Sequence, residues 1–209
     1  KIFERKNSID LNDGYGIQLS VNSIKLLNSI GFNKFSSSKL YFPKKVSFLN
    51  AKDSKKICDI DLSKFNDENN RYTTLKRSNL IEFLLDGIPK DKLNFNYELT
   101  DVKQGDKSLL LFSNKKTIEF DYLVAADGIY SKTKQILFKK EGFPEDFNTI
   151  ALRGNIKDFN SFDISLYLGP NFHFVIYPIS QNKEFNFIAI IRKELIKRKI
   201  INKDLLNDK

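Results

Sequence analysis

A mixed fold of the α/β (α+β) kind is predicted from three features of the sequence. Apolar residues recur at helical spacing in two segments, Val21, Ile24, Leu27, Ile30 and then Leu80, Ile81, Leu84, Leu85. A continuous apolar run, Leu123 to Ala126, ends in Asp127-Gly128, the pattern of a strand buried on both faces of a parallel sheet. Beyond about Phe147 the chain alternates as an antiparallel sheet does, over 150–156, 164–168, 172–177 and 185–191.

The elements follow in order. Ile2 and Phe3 read as the end of a strand. A loop carrying Asp10, Asn12, Asp13, Gly14 and Gly16 comes next. Ser20 is placed to cap the first helix and Gly31 to stop it. Leu40 to Asp61 reads as short strands between lysine-rich turns. The second helix spans about Ser78 to Asp86, and Gly87 and Pro89 end it. Leu109–Phe112 and Thr117–Phe120 flank a four-residue turn and form a hairpin. A short helix, Ser131 to Phe138, follows the Asp-Gly turn, and a last helix begins near Lys193.

Size and composition narrow the class. A chain of 209 residues buries one good core, or a core and a smaller second layer. With 41% hydrophobic and 29% charged residues it has the balance of a globular protein. No apolar run is long enough to span a bilayer, and no secretion signal is seen, so a cytoplasmic location is expected. The single cysteine, Cys58, forbids an intrachain disulfide and reads as a spare thiol in a strand. The net charge is +9, but the lysines are scattered. The densest cluster, Arg192, Lys193, Lys197, Arg198 and Lys199, alternates with Leu195, Ile196, Ile200 and Ile201, as a solvated helix face does. No zinc spacing, RNA-binding signature or helix-turn-helix pattern accompanies it, so neither a metal nor nucleic acid is expected as a partner.

Four motifs, taken in order, resemble the FAD-dependent aromatic hydroxylases, the flavoprotein monooxygenases that include salicylate- and hydroxybenzoate-hydroxylase-like enzymes. They are Phe3-Glu4-Arg5 with the segment Gly14 to Asn22; Lys76-Arg77-Ser78-Asn79-Leu80 entering a helix; Asp121 to Ser131 around Asp127-Gly128; and Leu168 to His173 with Tyr177-Pro178-Ile179 and Asn186. The resemblance implies an incomplete Rossmann-like FAD-binding domain over 1–34 and 71–147. An antiparallel β-sheet substrate domain would span 35–70 and 148–209, with the final helix.

The resemblance also implies roles. Glu4 would hold the adenosine ribose of FAD, with Arg5 beside it. Arg77 would face the pyrophosphate, because a guanidinium offers phosphate a planar, permanently charged fork. Asp127 and Gly128 would meet polar groups of FAD, and Gln18 would lie near its ring. His173, Tyr177 and Pro178 would line an aromatic substrate pocket. The implied reaction is hydroxylation of a small aromatic, phenolic-acid-like compound with NADPH or NADH and O2. No catalytic acid–base pair is required of the protein, because the cofactor carries the hard chemistry. A homodimer is compatible with this reading.

Several departures bear on it. The glycine-rich phosphate loop, its strand and a later Gly-Asp motif are absent. The chain is therefore expected to be an internal piece that neither binds FAD tightly nor turns over alone. Lys76, Asn79 and Lys134 stand where the family often has His, Asp and Arg, which leaves NADH versus NADPH open. Each residue also has a plainer reading. Asp127-Gly128 can be a turn, Arg77 a helix-surface residue, His173 and Tyr177 packed or exposed strand residues. Two other functions fit the same residues: an FAD-dependent reductase, epoxidase or halogenase, and a non-catalytic α+β binding module.

Overall fold

The computed structural model describes residues 1–11, 14–105, 108–139 and 145–197. Arg198 and the residues after it in the basic cluster, with Asn12 and Asp13 of the first loop, lie outside the described residues. In chain order the elements are β1 (Ile2–Glu4), β2 (Gly16–Leu19), α1 (Val21–Asn28), β3 (Leu40–Tyr41), β4 (Lys45–Asn50), β5 (Lys56–Asp61), β6 (Thr73–Lys76), α2 (Arg77–Asp86) and β7 (Leu93–Phe95). Then come β8 (Leu99–Lys103), β9 (Ser108–Phe112), β10 (Thr117–Phe120), α3 (Lys132–Phe138), β11 (Thr149–Lys157), β12 (Ile164–Leu168), β13 (Phe172–Pro178), β14 (Glu184–Arg192) and α4 (Lys193–Lys197).

The chain divides into two compact units. One holds Lys1–Asp10 with Asp86–Asp146; the other holds Leu11–Leu85 with the chain from Phe147 on. Residues 11–34 and 71–85, expected with the FAD-binding part, pack with the large sheet. The compact units thus follow packing, whereas the expected domains follow implied function.

In the first unit β1 and β7 pair in parallel, and β8, β9 and β10 form an antiparallel meander. Leucine and phenylalanine alternate inward on the meander. Val102, Leu110 and Phe112 form its core, joined by Phe3, Leu123, Ile136 and Leu137. Phe3, Tyr97 and Phe112 meet at ring separations of 5.0 to 5.3 Å, within the range of favourable aromatic contact.

The run Leu123–Ala126 forms no strand. It pairs with no strand among the described residues. Leu123 turns onto the core, but Tyr122 and Val124 are 94% and 89% exposed. An apolar run becomes a doubly buried strand only where strands flank it on both sides, and no described strand does so.

The second unit is built on a six-stranded sheet of order β11-β14-β13-β12-β4-β5. Its pairs are antiparallel except β12 with β4. A three-stranded antiparallel sheet, β2-β6-β3, carries α1 and α2 and buries Ile24, Phe32, Leu40 and Leu75. As expected, α1 begins after Ser20, and Gly31 follows it at φ +97°, a conformation that glycine adopts without strain. Edge strand β5 is exposed along its whole length, and Cys58 sits on it.

β2 approaches the large sheet closely. A Cβ on Gly16 would lie 2.5 Å from Asn186 Cβ and 2.7 Å from Ile179 Cγ2. Both neighbours are fully buried, Asn186 on β14 and Ile179 directly after β13. Gly16→Ala is therefore expected to cost about 1–3 kcal/mol, the usual range for overpacking. Urea denaturation measures it, and an unchanged midpoint would contradict this packing.

Candidate functional site

Residues implied for the cofactor fall in both units. In the first, Glu4 ends β1, and its Oε1 accepts the Lys6 N–H at 2.8 Å. Arg5 is exposed and makes no ion pair among the described residues. Asp127 stands before α3. Its Oδ1 accepts the Ser131 hydroxyl, and its Oδ2 accepts the Thr133 N–H and hydroxyl, both at 2.9 Å. Burial works against its charge, but the Ser131 and Thr133 bonds outweigh it and hold the carboxyl below its usual range. Asp127 thus shapes the turn into α3. Gly128, at φ +83°, has nothing within 4 Å of where a Cβ would sit, so its backbone is open to close approach.

In the second unit Arg77 opens α2. Its backbone N–H bonds Tyr15 O at 2.8 Å, and its side chain is exposed. Gln18, on β2 and partly buried, belongs to a polar chain. Tyr72 donates its hydroxyl to Gln18 Oε1 at 2.8 Å. The Gln18 side chain also faces the Tyr177 hydroxyl. Tyr177 is 1% exposed, and burial pushes its phenol up to about 12 despite Gln18 and the charge of Arg153.

Strand alternation separates the three residues expected to line one pocket. Tyr177 and His173 share a face of the large sheet. His173, opposite Leu168 and Ile190, is exposed. Pro178 points to the other face, where it lines a surface hollow of about 410 Å³ with Tyr41, Phe159, Phe162 and Phe185.

The face that carries Tyr177 holds polar residues that sequence reasoning did not single out as a site. Asn186 is opposite Tyr177 on one side and Asn155 on the other. Asn186 Nδ2 donates to Gly154 O at 2.9 Å and Asn155 Oδ1 at 2.8 Å. Asn155 Nδ2 reaches Gly14 O at 2.8 Å. Asn186 Oδ1 is buried with no hydrogen-bond partner. A lone asparagine in the apolar run Phe185-Asn186-Phe187-Ile188 was the available signal, since a buried amide demands partners.

No family model matches this sequence. The FAD-dependent monooxygenase eupB of Phoma sp is 26% identical over 133 residues, 57% of this chain and 30% of that protein. Klebsiella pneumoniae HpxO, solved with FAD and uric acid, has a similar fold, with a TM-score of 0.77 at 15% identity. It matches over 90% of this chain and 49% of its own. A salicylate hydroxylase substrate complex gives a TM-score of 0.70 at 18% identity, over 85% of this chain and 48% of its own. The chain resembles the FAD-dependent monooxygenases. It spans about a third of the length of the curated relative and about half that of the two solved structures.

The state of Tyr177 yields a pH prediction. Its folded pKa of about 12 lies above the ordinary value of 10.0, so the fold favours the neutral phenol. The stability from that preference is whole below the unfolded pKa and is lost as pH rises through the folded one. Between about pH 10 and 12, stability should fall less steeply in Tyr177→Phe than in the parent chain. Urea denaturation across that window measures it, and identical slopes would contradict the burial of this hydroxyl.

Proposed function

We propose that the protein carrying this chain is an FAD-dependent monooxygenase that hydroxylates a small aromatic, phenolic-acid-like substrate using NAD(P)H and O2. The observation that carries this reading is the Tyr177 face of the large sheet, where the half-buried Leu166, Val175 and Ile188 lie in register beside the polar row Tyr177, Asn186 and Asn155. It is the kind of surface that holds a planar ring by its face and orients it by its edge. The similarity to monooxygenases in sequence and fold supports the same reading.

The chain's residues fit parts of FAD. Glu4 keeps a carboxylate oxygen for ribose hydroxyls at the end of a parallel strand, the position such folds use. Arg5 and Arg77 carry guanidinium groups suited to phosphate. Gly128 leaves backbone open beside the Asp127 turn. When bound, FAD supplies the reduction by NAD(P)H and the activation of oxygen. The protein's share is to bind the substrate, orient it and keep water from the reacting centre. Tyr177 stays neutral at physiological pH, because burial pushes its phenol up to about 12.

The first unit fits a dinucleotide-binding domain that is incomplete within this chain. An isolated parallel pair is not a stable sheet, and β1 with β7 is one. Ile2 is 45% exposed, and Tyr122 and Val124 are nearly bare, as they would be beside the place of a further strand. Fluorescence titration with FAD is expected to give a dissociation constant at least tenfold weaker for the 209-residue chain than for the complete protein; equal affinities would contradict the incompleteness. Activity is tested with the complete protein, NAD(P)H, a panel of phenolic acids and 18O2. Product carrying one labelled oxygen is expected, and NAD(P)H-dependent turnover with unlabelled product would refute a monooxygenase.

A further inference from the structure

Two asparagines of the large sheet hold the segment that leads into β2. Asn155 on β11 donates from Nδ2 to Gly14 O at 2.8 Å, across 141 positions of sequence. Asn186, opposite Asn155 on β14, donates from Nδ2 to Asn155 Oδ1 at 2.8 Å and to Gly154 O at 2.9 Å. The partners fix the direction of these bonds. Gly14 O and Gly154 O are carbonyls, which only accept, so each amide turns its nitrogen toward one of them. Asn155 Oδ1 is then left to receive Asn186. Position 155 passes the contact on because its side chain carries both a donor and an acceptor.

The same segment meets α2 on its other side. The Arg77 N–H, one of the first-turn donors that a helix leaves without a partner of its own, bonds Tyr15 O at 2.8 Å. A Cβ on Gly14 would lie 2.9 Å from Ser78 Oγ, so the backbone here rests directly on the first turn of α2. A continuous path therefore runs from β14 through Asn186, Asn155, Gly14 and Tyr15 to Arg77. Asn186 has no solvent exposure and leaves its Oδ1 without a partner. An apolar side chain of similar size would fill that place with no unfilled acceptor, so packing alone does not account for an amide there.

We propose that Asn155, held by Asn186, is a positioning residue for FAD binding. It fixes Gly14 and Tyr15 and, through the Tyr15 carbonyl, the place from which the Arg77 guanidinium reaches the phosphates of the cofactor. The two asparagines act through the backbone and need no contact with FAD. The inference rests on the reading of Arg77 as a phosphate-binding residue, but it adds two residues on distant strands that this reading does not require.

The experiment is a double-mutant cycle on FAD affinity, measured by fluorescence titration of the complete protein freed of cofactor, with thermal unfolding of each variant as the check of folding. Asn155 is exposed, so its replacement leaves the core in place. Asn155→Ala is expected to weaken FAD by about 3- to 10-fold, the scale of one hydrogen bond. Asn155→Leu keeps the bulk, loses both polar atoms and should give the same loss. Arg77→Ala should weaken FAD by about 10- to 100-fold, the scale of a charge-assisted contact. Combined with Arg77→Ala, Asn155→Ala should add less than about twofold, because no guanidinium is left to place. Losses that multiply in the double variant, an Arg77→Ala variant of parental affinity, or Asn155 variants that bind FAD as the parent does would each overturn the inference. The flavoprotein reading survives all three, since FAD is still bound. A parent protein that binds no FAD removes that reading and the inference with it.

Discussion

The close approach of β2 to the large sheet at Gly16 is the constraint on which the site depends. Any side chain there would strike Asn186 and Ile179. Because none is present, the backbone descends onto the sheet, and Gln18, two residues on, faces the Tyr177 hydroxyl. The same approach lets Asn155 take hold of Gly14 O while Asn186 holds Asn155. The polar row is therefore a product of tight backbone packing. Its members are fixed before any ligand arrives, and such preorganisation lowers the ordering cost of binding.

Ion pairing reinforces the same junction. Lys76, at the end of β6, pairs with Glu184 at the start of β14 at 2.9 Å, and Ser180 donates to the other carboxylate oxygen. These contacts outweigh burial and hold the Glu184 carboxyl below its usual range. Thr74 on β6 bonds Pro178 O, so backbone of the large sheet is satisfied from the small one. The two sheets of this unit thus share polar as well as apolar contacts.

Much of the fold was legible because periodicity reports burial. The four strands after Phe147, the hairpin at 109–120 and the helices after Ser20, Lys76 and Ser131 all follow local pattern and punctuation. The strand expected at Leu123–Ala126 was not found, because local pattern states only that a segment is apolar. Whether it becomes a strand depends on neighbours distant in sequence. β2, β6 and β7 were missed for the opposite reason: three or four residues with mixed polarity carry too little periodicity, and their pairing is decided by tertiary contacts. The site was legible only in part. Tyr177 and Gln18 came from resemblance, and the structure joins them. Arg153 and Asn155 were hidden because a polar residue on an alternating strand ordinarily faces water. Only the register of β11 against β14 brings them onto the face that carries Tyr177.

The central claim is that these residues serve a flavin enzyme. Its most direct measurement is the visible absorption spectrum of the complete protein as purified, followed by identification of the chromophore released on denaturation. A two-band flavin spectrum with FAD released is the result the account predicts. A colourless protein that remains colourless after incubation with FAD would contradict it.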